Sequence, residues 1–487
     1  MPILSVILWT PLAALLVVLL LPGRAVTAIR GVAIGAAAIS FVLSLTLFFR
    51  FDRTTASLQF EERYPWIPEL GMTYAIGIDG LSLPLLLLCT LVTLVALIVS
   101  TGIVERVKAY FAFFLVLEFA MLGVFLAQDW FLFYVFWEVS LVPMFFLIGL
   151  WGGARRDLAT MSFFLYTLGG SIFMLLGIIA VYLNADPHTF DMRELAERGR
   201  DWTVAFQIGP FLAFFVGFAV KIPVFPLHGW LPLAHVEAPT PVSIVLSGVL
   251  LKMGAYGLLR VADLLPGALE WFAPVLLALG LVNIIYGALL AWRQTDLKAM
   301  VAFSSIDHMG FVLVGIAALN VIGFTGALLM MVTHGIITGT LFLLVGALYD
   351  RTHTRELGDY GGLMSRMPLF SILLTLAMLA SMGLPGLAQF VSEFHVLVGG
   401  FQSWGLFVIV ALIGILITAA YSLRVIGRAL MGPLDPRWAG LSDLSARELV
   451  AALPLAAATI AIGLFPSAVL ELMTATLAEL GTLFVAR

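Results

Sequence analysis

Long apolar stretches, separated by short polar ones, run through almost the whole chain. Many reach the length of about 18 residues that a helix needs to cross a bilayer. Cutting at the charged, proline-rich or polar stretches leaves about fourteen segments, with cores at 3–22, 28–49, 80–100, 109–127, 130–151, 160–183, 205–227, 240–261, 271–292, 298–319, 324–348, 368–400, 403–430 and 449–474. Lipid offers no hydrogen bonds to a free backbone, so each segment is expected to be helical. The pattern predicts an all-α polytopic membrane protein of about fourteen transmembrane helices.

The loops between the predicted helices differ in charge. Lysine and arginine are about twice as frequent in loops after odd-numbered segments as in loops after even-numbered segments and in the tail. Because basic loops stay in the cytoplasm, both termini are expected on the outer side. The first segment, 3–22, has no basic residue before it and no small-residue cleavage site after it, so we expect a retained helix and not a signal peptide.

Two prolines interrupt apolar segments at related places. Pro223 and Pro385 lie about 160 residues apart, each in the fourth helix of a block of five. An odd number of crossings per block inverts the second block, and inverted repeats with broken helices are typical of ion-translocating membrane proteins. We therefore predict two inverted five-helix repeats, which the family resemblance described below implies to be proton half-channels. The predicted division is 1–107 (an N-terminal three-helix segment), 108–265 and 266–430 (the repeats), and 431–487 (a C-terminal helix segment).

The amino-acid composition of the chain excludes several classes of function. Only 11% of the residues are charged and the net charge is −4 at pH 7, so no nucleic-acid partner is expected. The single cysteine, Cys89, excludes a disulfide framework, thiolate ligation of an iron–sulfur cluster and c-type haem attachment within this chain. No phosphate-binding glycine motif and no H-E-x-x-H zinc motif occurs. Any nucleotide, flavin or redox chemistry is therefore expected on another polypeptide.

The few lysines occupy unusual positions. Only Lys108 lies in an ordinary predicted loop, whereas Lys221 and Lys252 fall inside apolar segments and Lys298 starts one. Lysine, unlike arginine, can lose its proton when it is desolvated. Lysines at bilayer depth therefore indicate proton chemistry. The alternative for Lys221 is a side chain that snorkels to the membrane surface, and for Lys252 a purely structural role.

Carboxylates also fall inside apolar segments. Glu138 lies about nine residues into its segment, so it must be neutral, paired or facing water. We expect it to pair with Lys221, beside the first helix break. Glu393 follows the second break and mirrors Lys221 with the opposite charge, and Glu118 has no obvious partner. The alternatives are a structural hydrogen bond for Glu138 and a polar residue at the outer mouth for Glu393.

Two histidines, His308 and His334, lie mid-helix among serines and threonines. Histidine both accepts and donates protons near neutral pH, and the hydroxyls suit the waters of a relay. The alternative is a pair of satisfied buried side chains. Asp307, directly before His308, is expected to point at a different helix. One further group has residue types that suit zinc, but it lies in a proline-rich reversal and is not favoured as a metal site: His228, His235 and Glu237.

Four long motifs, taken together, resemble one family. They are FYVFWEVSLVPM (133–144), KIPVFPLHGWLPLAHVEAPTPVSIVLSGVLLKMGAYGLLR (221–260), DLKAMVAFSSIDHMGF (296–311) and GLPGLAQFVSEF (383–394). In this order they resemble the antiporter-like membrane subunits of respiratory complex I and their Mrp-type antiporter relatives. The resemblance covers about the third to the thirteenth helix. It implies fourteen helices with two inverted five-helix repeats, each containing a broken helix.

The resemblance also implies roles for the buried polar residues. It makes Glu138 and Lys221 the charge pair of a proton channel, Lys252, His308 and His334 its central axis, and Glu393 its terminal group. Secondary candidates for proton transfer are Lys298, Glu118, Asp307 and His228. Asp307 departs from the small or polar residue usual before that histidine. Glutamate at 393, where other members generally carry lysine, implies the M type of subunit.

The same resemblance implies that the redox groups lie on partner subunits. These groups are NADH, FMN, iron–sulfur clusters and quinone, while this chain is expected to hold no cofactor and no metal. The expected surroundings are a bacterial inner membrane and antiporter-like neighbours on both sides. Three alternatives stay open: a subunit of a Mrp-type cation/proton antiporter, a membrane subunit of a membrane-bound hydrogenase, and a passive scaffold whose buried charges only fix packing.

Overall fold

The computed structural model describes residues 2–485, which are mostly helical. The helices are α1 (Ile3–Leu20), α2 (Val26–Arg50), α3 (Ser82–Val99), α4 (Val107–Leu126), α5 (Trp130–Trp151), α6 (Arg156–Asn184), α7 (Met192–Gly199), α8 (Val204–Lys221), α9 (Trp230–Glu237), α10 (Thr240–Val245), α11 (Leu251–Leu264), α12 (Pro266–Arg293), α13 (Leu297–Ala317), α14 (Val321–Thr352), α15 (Pro368–Ser381), α16 (Ala388–Trp404), α17 (Val410–Val425), α18 (Ala446–Leu464) and α19 (Ser467–Val485). The strands are β1 (Gln59–Ile67) and β2 (Met72–Ile78). Two π-helical turns, Leu246–Leu250 and Ile426–Leu430, interrupt regular helix. The predicted all-α polytopic fold is confirmed.

The polar stretch after α2 forms a β-hairpin that the apolar pattern did not predict. β1 and β2 pair antiparallel around Gly71, whose φ is 66°. Glu62 accepts a hydrogen bond of 2.9 Å from the Leu4 backbone at the start of α1. Asp129, before α5, accepts one of 3.0 Å from the Thr73 backbone. The hairpin therefore covers one end of the helix bundle, called the hairpin face below.

The last predicted segment, 449–474, is wrong in its extent, because α18 ends at Leu464 and α19 follows as a separate helix. Although α19 is long and apolar enough to cross a membrane, its contacts lie on the hairpin face. The Gly80 backbone N–H, before α3, donates to Thr476 Oγ1 at 3.0 Å, and Glu471 pairs with Arg53 at 2.7 Å. We conclude that α19 runs along this face, where α1 also begins.

Fourteen stretches of the described chain meet the length and hydropathy needed for a membrane span. One of them, Ala388–Leu430, contains two helices, α16 and α17, because the chain turns at Gly405 with φ of 55°. If α16 and α17 are counted as two crossings and α19 is left out, the number of membrane crossings is again fourteen. The most apolar 18 residues of α14, and those of α10 together with α11, are completely buried inside the protein. In α1 and in α2, only 33% of the corresponding residues are buried. Lys252 and His334 therefore lie in helices that the rest of the chain covers completely, whereas the spans that contain Glu138, Lys221 and Glu393 are partly exposed.

Both predicted helix breaks are present. The first separates α8 from α9 and the second separates α15 from α16. At the first break, Trp230 Nε1 donates to the freed Val220 carbonyl at 2.9 Å, and the Phe225 N–H donates to Asn283 Oδ1 at 2.8 Å. α8 starts on the hairpin face and α15 on the opposite face, so the broken helices run in opposite directions. This agrees with inverted repeats, while the domain boundaries given above stay a prediction.

Helices α12 and α13 pack unusually closely, through glycine. A Cβ added to Gly310 would lie 2.7 Å from the Gly280 carbonyl and 2.8 Å from Ile284. We expect Gly310→Ala to destabilise the protein by about 1–3 kcal/mol, because the helices must separate. The measurement is the melting temperature of the detergent-purified protein.

The matched control for this substitution is Gly209→Ala in α8, where an added Cβ meets nothing within 4 Å. Within a helix, alanine is more favourable than glycine by about 1 kcal/mol of folding free energy. The control substitution is therefore expected to leave the stability unchanged or to raise it. Equal melting temperatures for the two variants would contradict the packing explanation.

Candidate functional site

The innermost part of the site lies between α11 and α14. Lys252 and His334 are both fully buried, and Lys252 Nζ lies 2.6 Å from His334 Nδ1. The π-helical turn Leu246–Leu250 directly precedes this lysine, and the Lys252 amino group donates to the Ser247 carbonyl within the turn. Such turns are frequent at functional sites, since they disturb the regular backbone hydrogen bonds. Two of the three predicted axis residues are thus in direct contact.

From His334 a line of polar groups continues to the second helix break. The His308 and His334 rings have centroids 5.4 Å apart, and His308 Nε2 lies 3.2 Å from the Ser381 carbonyl oxygen. Gln389 Nε2 donates to the same carbonyl at 2.9 Å and to Glu393 Oε1 at 3.0 Å. The relay line, as we call it, consists of Lys252, His334, His308, Ser381, Gln389 and Glu393.

The local chain geometry at the second break explains why the relay line can form there. Ser381 ends α15, so its carbonyl has no partner further along the helix and remains free to accept side-chain hydrogen bonds. Gly383 has φ of 75°, and an added Cβ would lie 2.2 Å from Glu393 Oε2. Only glycine combines this backbone with room for the carboxyl group. The G-L-P-G sequence thus provides both the break and the space beside Glu393.

Hydroxyl groups surround the relay line. Ser247 Oγ lies 3.2 Å from Ser305 Oγ and donates to Thr338 Oγ1 at 3.0 Å. Thr338 in turn donates to the His334 carbonyl at 2.6 Å. Near the other end, Thr333 Oγ1 lies 3.1 Å from Ser392 Oγ. These groups both donate and accept, so they can orient water between the ionisable residues.

Lys221 and Glu138 lie near each other but not in contact. Lys221 ends α8 and is 1% exposed, and its Nζ lies 5.0 Å from the centre of the Trp137 ring and 5.9 Å from that of Phe163. Lys221 Nζ and Glu138 Oε1 have no hydrogen-bond partner within the described range 2–485. Glu138 is close enough for its charge to act on Lys221. The expected pair of Glu138 and Lys221 is thus present without a hydrogen bond between the two groups, and an aromatic ring lies against the Lys221 amino group.

Two further buried polar residues, Lys298 and His235, lie towards the face opposite the hairpin. Lys298, near the start of α13, donates to the Ala238 carbonyl. His235 is fully buried, stacks on Phe342 with centroids 4.6 Å apart, and is close enough to interact electrostatically with both Lys252 and Lys298. Neither ring nitrogen of His235 has a hydrogen-bond partner in the described chain, so no hydrogen bond links Lys298 to Lys252 through it. Sequence reasoning considered His235 only as a metal ligand.

The three residues whose types suit zinc, His228, His235 and Glu237, do not converge. Glu237 pairs with Arg155 at 3.2 Å, whereas His228 lies among Phe225 and Tyr286. Within residues 2–485, no group of three His, Cys, Asp or Glu side chains has the proximity that a metal ion needs. His228 is 9% exposed at the first break, apart from the relay line.

The remaining secondary candidates, Asp307 and Glu118, form no hydrogen bond with the relay line in the described chain. Asp307 points at a different helix from His308, as expected, because its Oδ2 accepts a hydrogen bond of 2.7 Å from Thr418 on α17. Glu118 in α4 is fully buried, and neither of its oxygens has a partner in the part of the chain that is described. It lies beside Cys89 of α3. Neither carboxyl group contacts a cation directly.

Sequence reasoning missed Gln389, Asn283 and the Ser381 carbonyl. Gln389 lies four residues before Glu393, the spacing at which side chains on one helix face meet. Asn283 is a lone amide in an otherwise apolar helix, which signals a buried partner. The Ser381 carbonyl gives no signal in the sequence, because it is free only where α15 ends.

Comparison with known proteins gives a consistent picture. The family model described as NADH:quinone oxidoreductase/Mrp antiporter, TM, matches residues 127–418. NAD(P)H-quinone oxidoreductase chain 4 1 of Picosynechococcus sp. is 42% identical across 94% of this chain and 87% of its own length. NADH-ubiquinone oxidoreductase chain 4 of Marchantia polymorpha is 41% identical, over 98% and 96% respectively.

Two solved structures share the fold over 99% of this chain. A chain of respiratory complex I from Thermus thermophilus, solved with bound NADH, superposes with a TM-score of 0.89 at 31% identity and is covered to 99%. A chain of the Mrp complex from Dietzia sp. superposes with a TM-score of 0.87 at 21% identity and is covered to 98%, which shows the shared fold alone. The family match spans more than half of the sequence and the relatives align over nearly all of it. The chain therefore belongs to the NADH:quinone oxidoreductase/Mrp antiporter family of membrane proteins.

Proposed function

We propose that this chain is a proton-translocating membrane-arm subunit of an NADH–quinone oxidoreductase, of the M type. The observation that carries the proposal is the relay line, a polar connection from Lys252 to Glu393 inside a shielded helix bundle. The relatives named chain 4, which align along the whole length, support the oxidoreductase assignment. Glu393 supports the M type, since other antiporter-like members generally carry lysine there.

In this function, Lys221 and Glu138 form the loading end. A lysine buried without a hydrogen-bond partner is stabilised as a cation mainly by the nearby carboxylate and the Trp137 ring. Moving Glu138 away weakens this stabilisation and releases the proton from Lys221. Transfer of one charge against 100 mV costs about 2.3 kcal/mol, which equals roughly a fifty-fold change in proton affinity. The separated geometry suits this switching, because no hydrogen bond between the two groups has to break when Glu138 moves.

The proton released from Lys221 then moves to Lys252. No direct hydrogen bond joins these two lysines in the described structure, so water must bridge them. From Lys252 the path follows His334 and His308, the region of the Ser381 carbonyl and Gln389, and ends at Glu393. Ser381 and Gln389 do not change their protonation; they hold the His308 ring and the Glu393 carboxyl group in place.

The electron-transfer groups belong to other subunits in this proposal. NADH, FMN, iron–sulfur clusters and quinone would lie there, and the redox reaction would act on Glu138 through a neighbouring membrane subunit. Antiporter-like neighbours on both sides and surrounding lipid are the proposed partners. The proposed location is a bacterial inner membrane, with the hairpin face and both termini on the periplasmic side, supported by the excess of basic loop residues on the opposite side.

A subunit of a Mrp-type cation/proton antiporter is the second candidate function. The fold supports this candidate about as well as the oxidoreductase subunit, because the Mrp chain superposes with a TM-score of 0.87 and the complex I chain with 0.89. The sequence identity is lower, 21% against 31% for the complex I chain, and relatives named chain 4 reach 42%. The oxidoreductase subunit is therefore the function that the observations support best.

Purification in mild detergent distinguishes these functions. We expect the affinity-tagged chain to co-purify with NADH dehydrogenase subunits, and the assembly to oxidise NADH with a quinone and to acidify proteoliposomes during this reaction. The control is the same preparation without NADH, which should cause no acidification. Co-purification with other antiporter chains, and proton movement driven by a sodium gradient without NADH, would contradict the proposal. Hydrogenase subunits would contradict it as well.

A further inference from the structure

The short helix α9 is closed at its carboxyl-terminal end by hydrogen-bond donors from outside the helix. The last carbonyls of a helix have no partner within it, and Pro239, which follows α9, has no N–H to offer them. Each of the four carbonyls at 235–238 accepts a hydrogen bond from a different part of the chain. In the order of these carbonyls, the donors are the Ser243 hydroxyl at 3.1 Å, Arg355 Nη1 at 2.8 Å, the Gly153 N–H at 2.8 Å and the Lys298 amino group. We call these four donors the α9 clamp.

The two cations of the α9 clamp, Lys298 and Arg355, are held together by one carboxylate. Asp296, before α13, accepts a hydrogen bond of 2.7 Å from the Lys298 backbone and pairs with Arg355 Nε at 3.1 Å. The Leu297 N–H also donates to the Arg355 carbonyl at 2.9 Å. The start of α13 and the chain after α14 thus form one unit that presents two cations to the end of α9. Cations stabilise this end, since the helix dipole is negative there.

Lys298 is the more buried of these two cations. It is 6% exposed, whereas the Arg355 side chain is 27% exposed. Its amino group donates to the Ala238 carbonyl oxygen, which accepts the hydrogen bond but does not take up the proton. In residues 2–485, neither ring nitrogen of His235 on α9 has a hydrogen-bond partner, so this histidine does not receive a proton from Lys298 directly. The contacts of Lys298 therefore suit holding α9 in place and not passing a proton on.

The other end of α9 contacts the first helix break. Trp230 is the first residue of α9, and its Nε1 donates at 2.9 Å to the carbonyl of Val220, the residue before Lys221. Asn283 on α12 fixes the connecting loop, because its Oδ1 accepts from the Phe225 N–H at 2.8 Å. The eight residues of α9 span about 12 Å. A displacement at the α9 clamp is therefore transmitted along this helix to the end of α8 that carries Lys221.

We propose that Lys298 is a positioning residue for Lys221: together with Arg355 it holds α9, and through α9 it fixes the first helix break. Lys298 does not itself carry a proton. The proposal rests on the proposed function, in which Lys221 loads the proton. Gly153 and Ser243 lie in the first predicted repeat, whereas Lys298 and Arg355 lie in the second. The α9 clamp thus also ties the two repeats together at the loading end.

The first test compares Lys298→Met with Lys298→Arg in the assembled complex. Methionine removes the donor to the Ala238 carbonyl, so the protons pumped per NADH oxidised should fall on the order of ten-fold, because Lys221 is misplaced. Arginine keeps a donor but does not release its proton, so it should restore pumping. A proton carrier would be lost in both variants, as is expected for Lys252. Equal loss of pumping in the two Lys298 variants would overturn the proposal.

Deuterium exchange of the peptide 222–238, measured by mass spectrometry of the assembled complex, tests the hold on α9 itself. Exchange of backbone amides reports local opening of the structure. We expect faster exchange in Lys298→Met than in the natural protein, and the natural rate in Lys298→Arg. Loss of a proton carrier would not loosen α9, so an unchanged rate in Lys298→Met would refute the positioning role.

Arg355→Met gives an independent answer if Lys298→Met does not assemble. Arginine keeps its proton and carries none, yet this variant loses the donor to the Val236 carbonyl, so pumping should fall and α9 should exchange faster. The matched control is Arg424→Met on α17, because Arg424 donates at 2.6 Å to the Trp292 carbonyl near the end of α12 and not to α9. The control should pump normally. Equal pumping in the two arginine variants would contradict the proposal.

Failure of the positioning role is distinguishable from failure of the proposed function. If Lys221→Ala abolishes pumping but Lys298→Arg does not restore it, only the positioning role is wrong. If Lys221→Ala pumps normally, the proposed proton path is wrong, and the positioning role fails with it.

Discussion

Replacement of Lys252 by methionine is expected to reduce proton pumping to background while the complex still assembles. Methionine has a similar length and fills the buried volume, but it cannot bind the proton that passes to His334, 2.6 Å away. The measurement is acidification of proteoliposomes for each NADH oxidised. Because Lys252 is the only lysine in the relay line, no other cationic side chain there replaces it.

Two matched variants determine why Lys252 is needed. Lys252→Arg keeps the positive charge but does not release its proton, so it should also lose pumping. If the buried charge only fixed helix packing, this variant would pump normally, and the passive-scaffold alternative would be favoured. Lys108→Met serves as the control, since its amino group only donates to the Leu19 and Leu21 carbonyls at the end of α1, and it should pump normally.

Replacement of Lys221 by alanine, or of Glu138 by glutamine, is the second change expected to abolish pumping. The two groups form no direct contact, so little hydrogen bonding is lost and assembly should be retained. What disappears is the loading group or the charge that controls it. Pumping and NADH oxidation are measured together at several pH values, and a normal proton-to-electron ratio in either variant would contradict the assigned roles.

The control for these variants is Glu194→Gln in α7, an exposed carboxylate that pairs with Arg198 at 3.4 Å. Exposed pairs of this kind contribute about 0–1 kcal/mol, so the variant should behave like the natural protein. Glu138→Asp is informative as well, because it keeps the charge but withdraws it from Lys221. It should retain part of the pumping activity if distance governs the interaction.

The sequence by itself predicted the architecture because membrane helices are specified locally. A span of apolar residues must form a helix in lipid wherever it lies, and a proline or a G-L-P-G sequence breaks that helix without help from neighbours. For the same reason, buried lysines, glutamates and histidines were recognisable as candidates, since each is unfavourable in lipid without a function or a partner. The hairpin was missed because its strands, of nine and seven residues, are too short to be recognised as membrane spans and lie between two predicted apolar segments.

Only the tertiary structure decided which of these residues meet. Lys252 contacts His334 because the π-helical turn and the packing of α11 on α14 set the rotation of both helices, and nothing near either residue in sequence encodes that rotation. Gln389 joins His308 to Glu393 through a carbonyl freed on α15. The sequence suggested an ion pair of Lys221 with Glu138, whereas packing leaves them apart. Helix formation depends on neighbouring residues, but contacts between helices depend on side chains far apart in the chain, which only the folded bundle brings together.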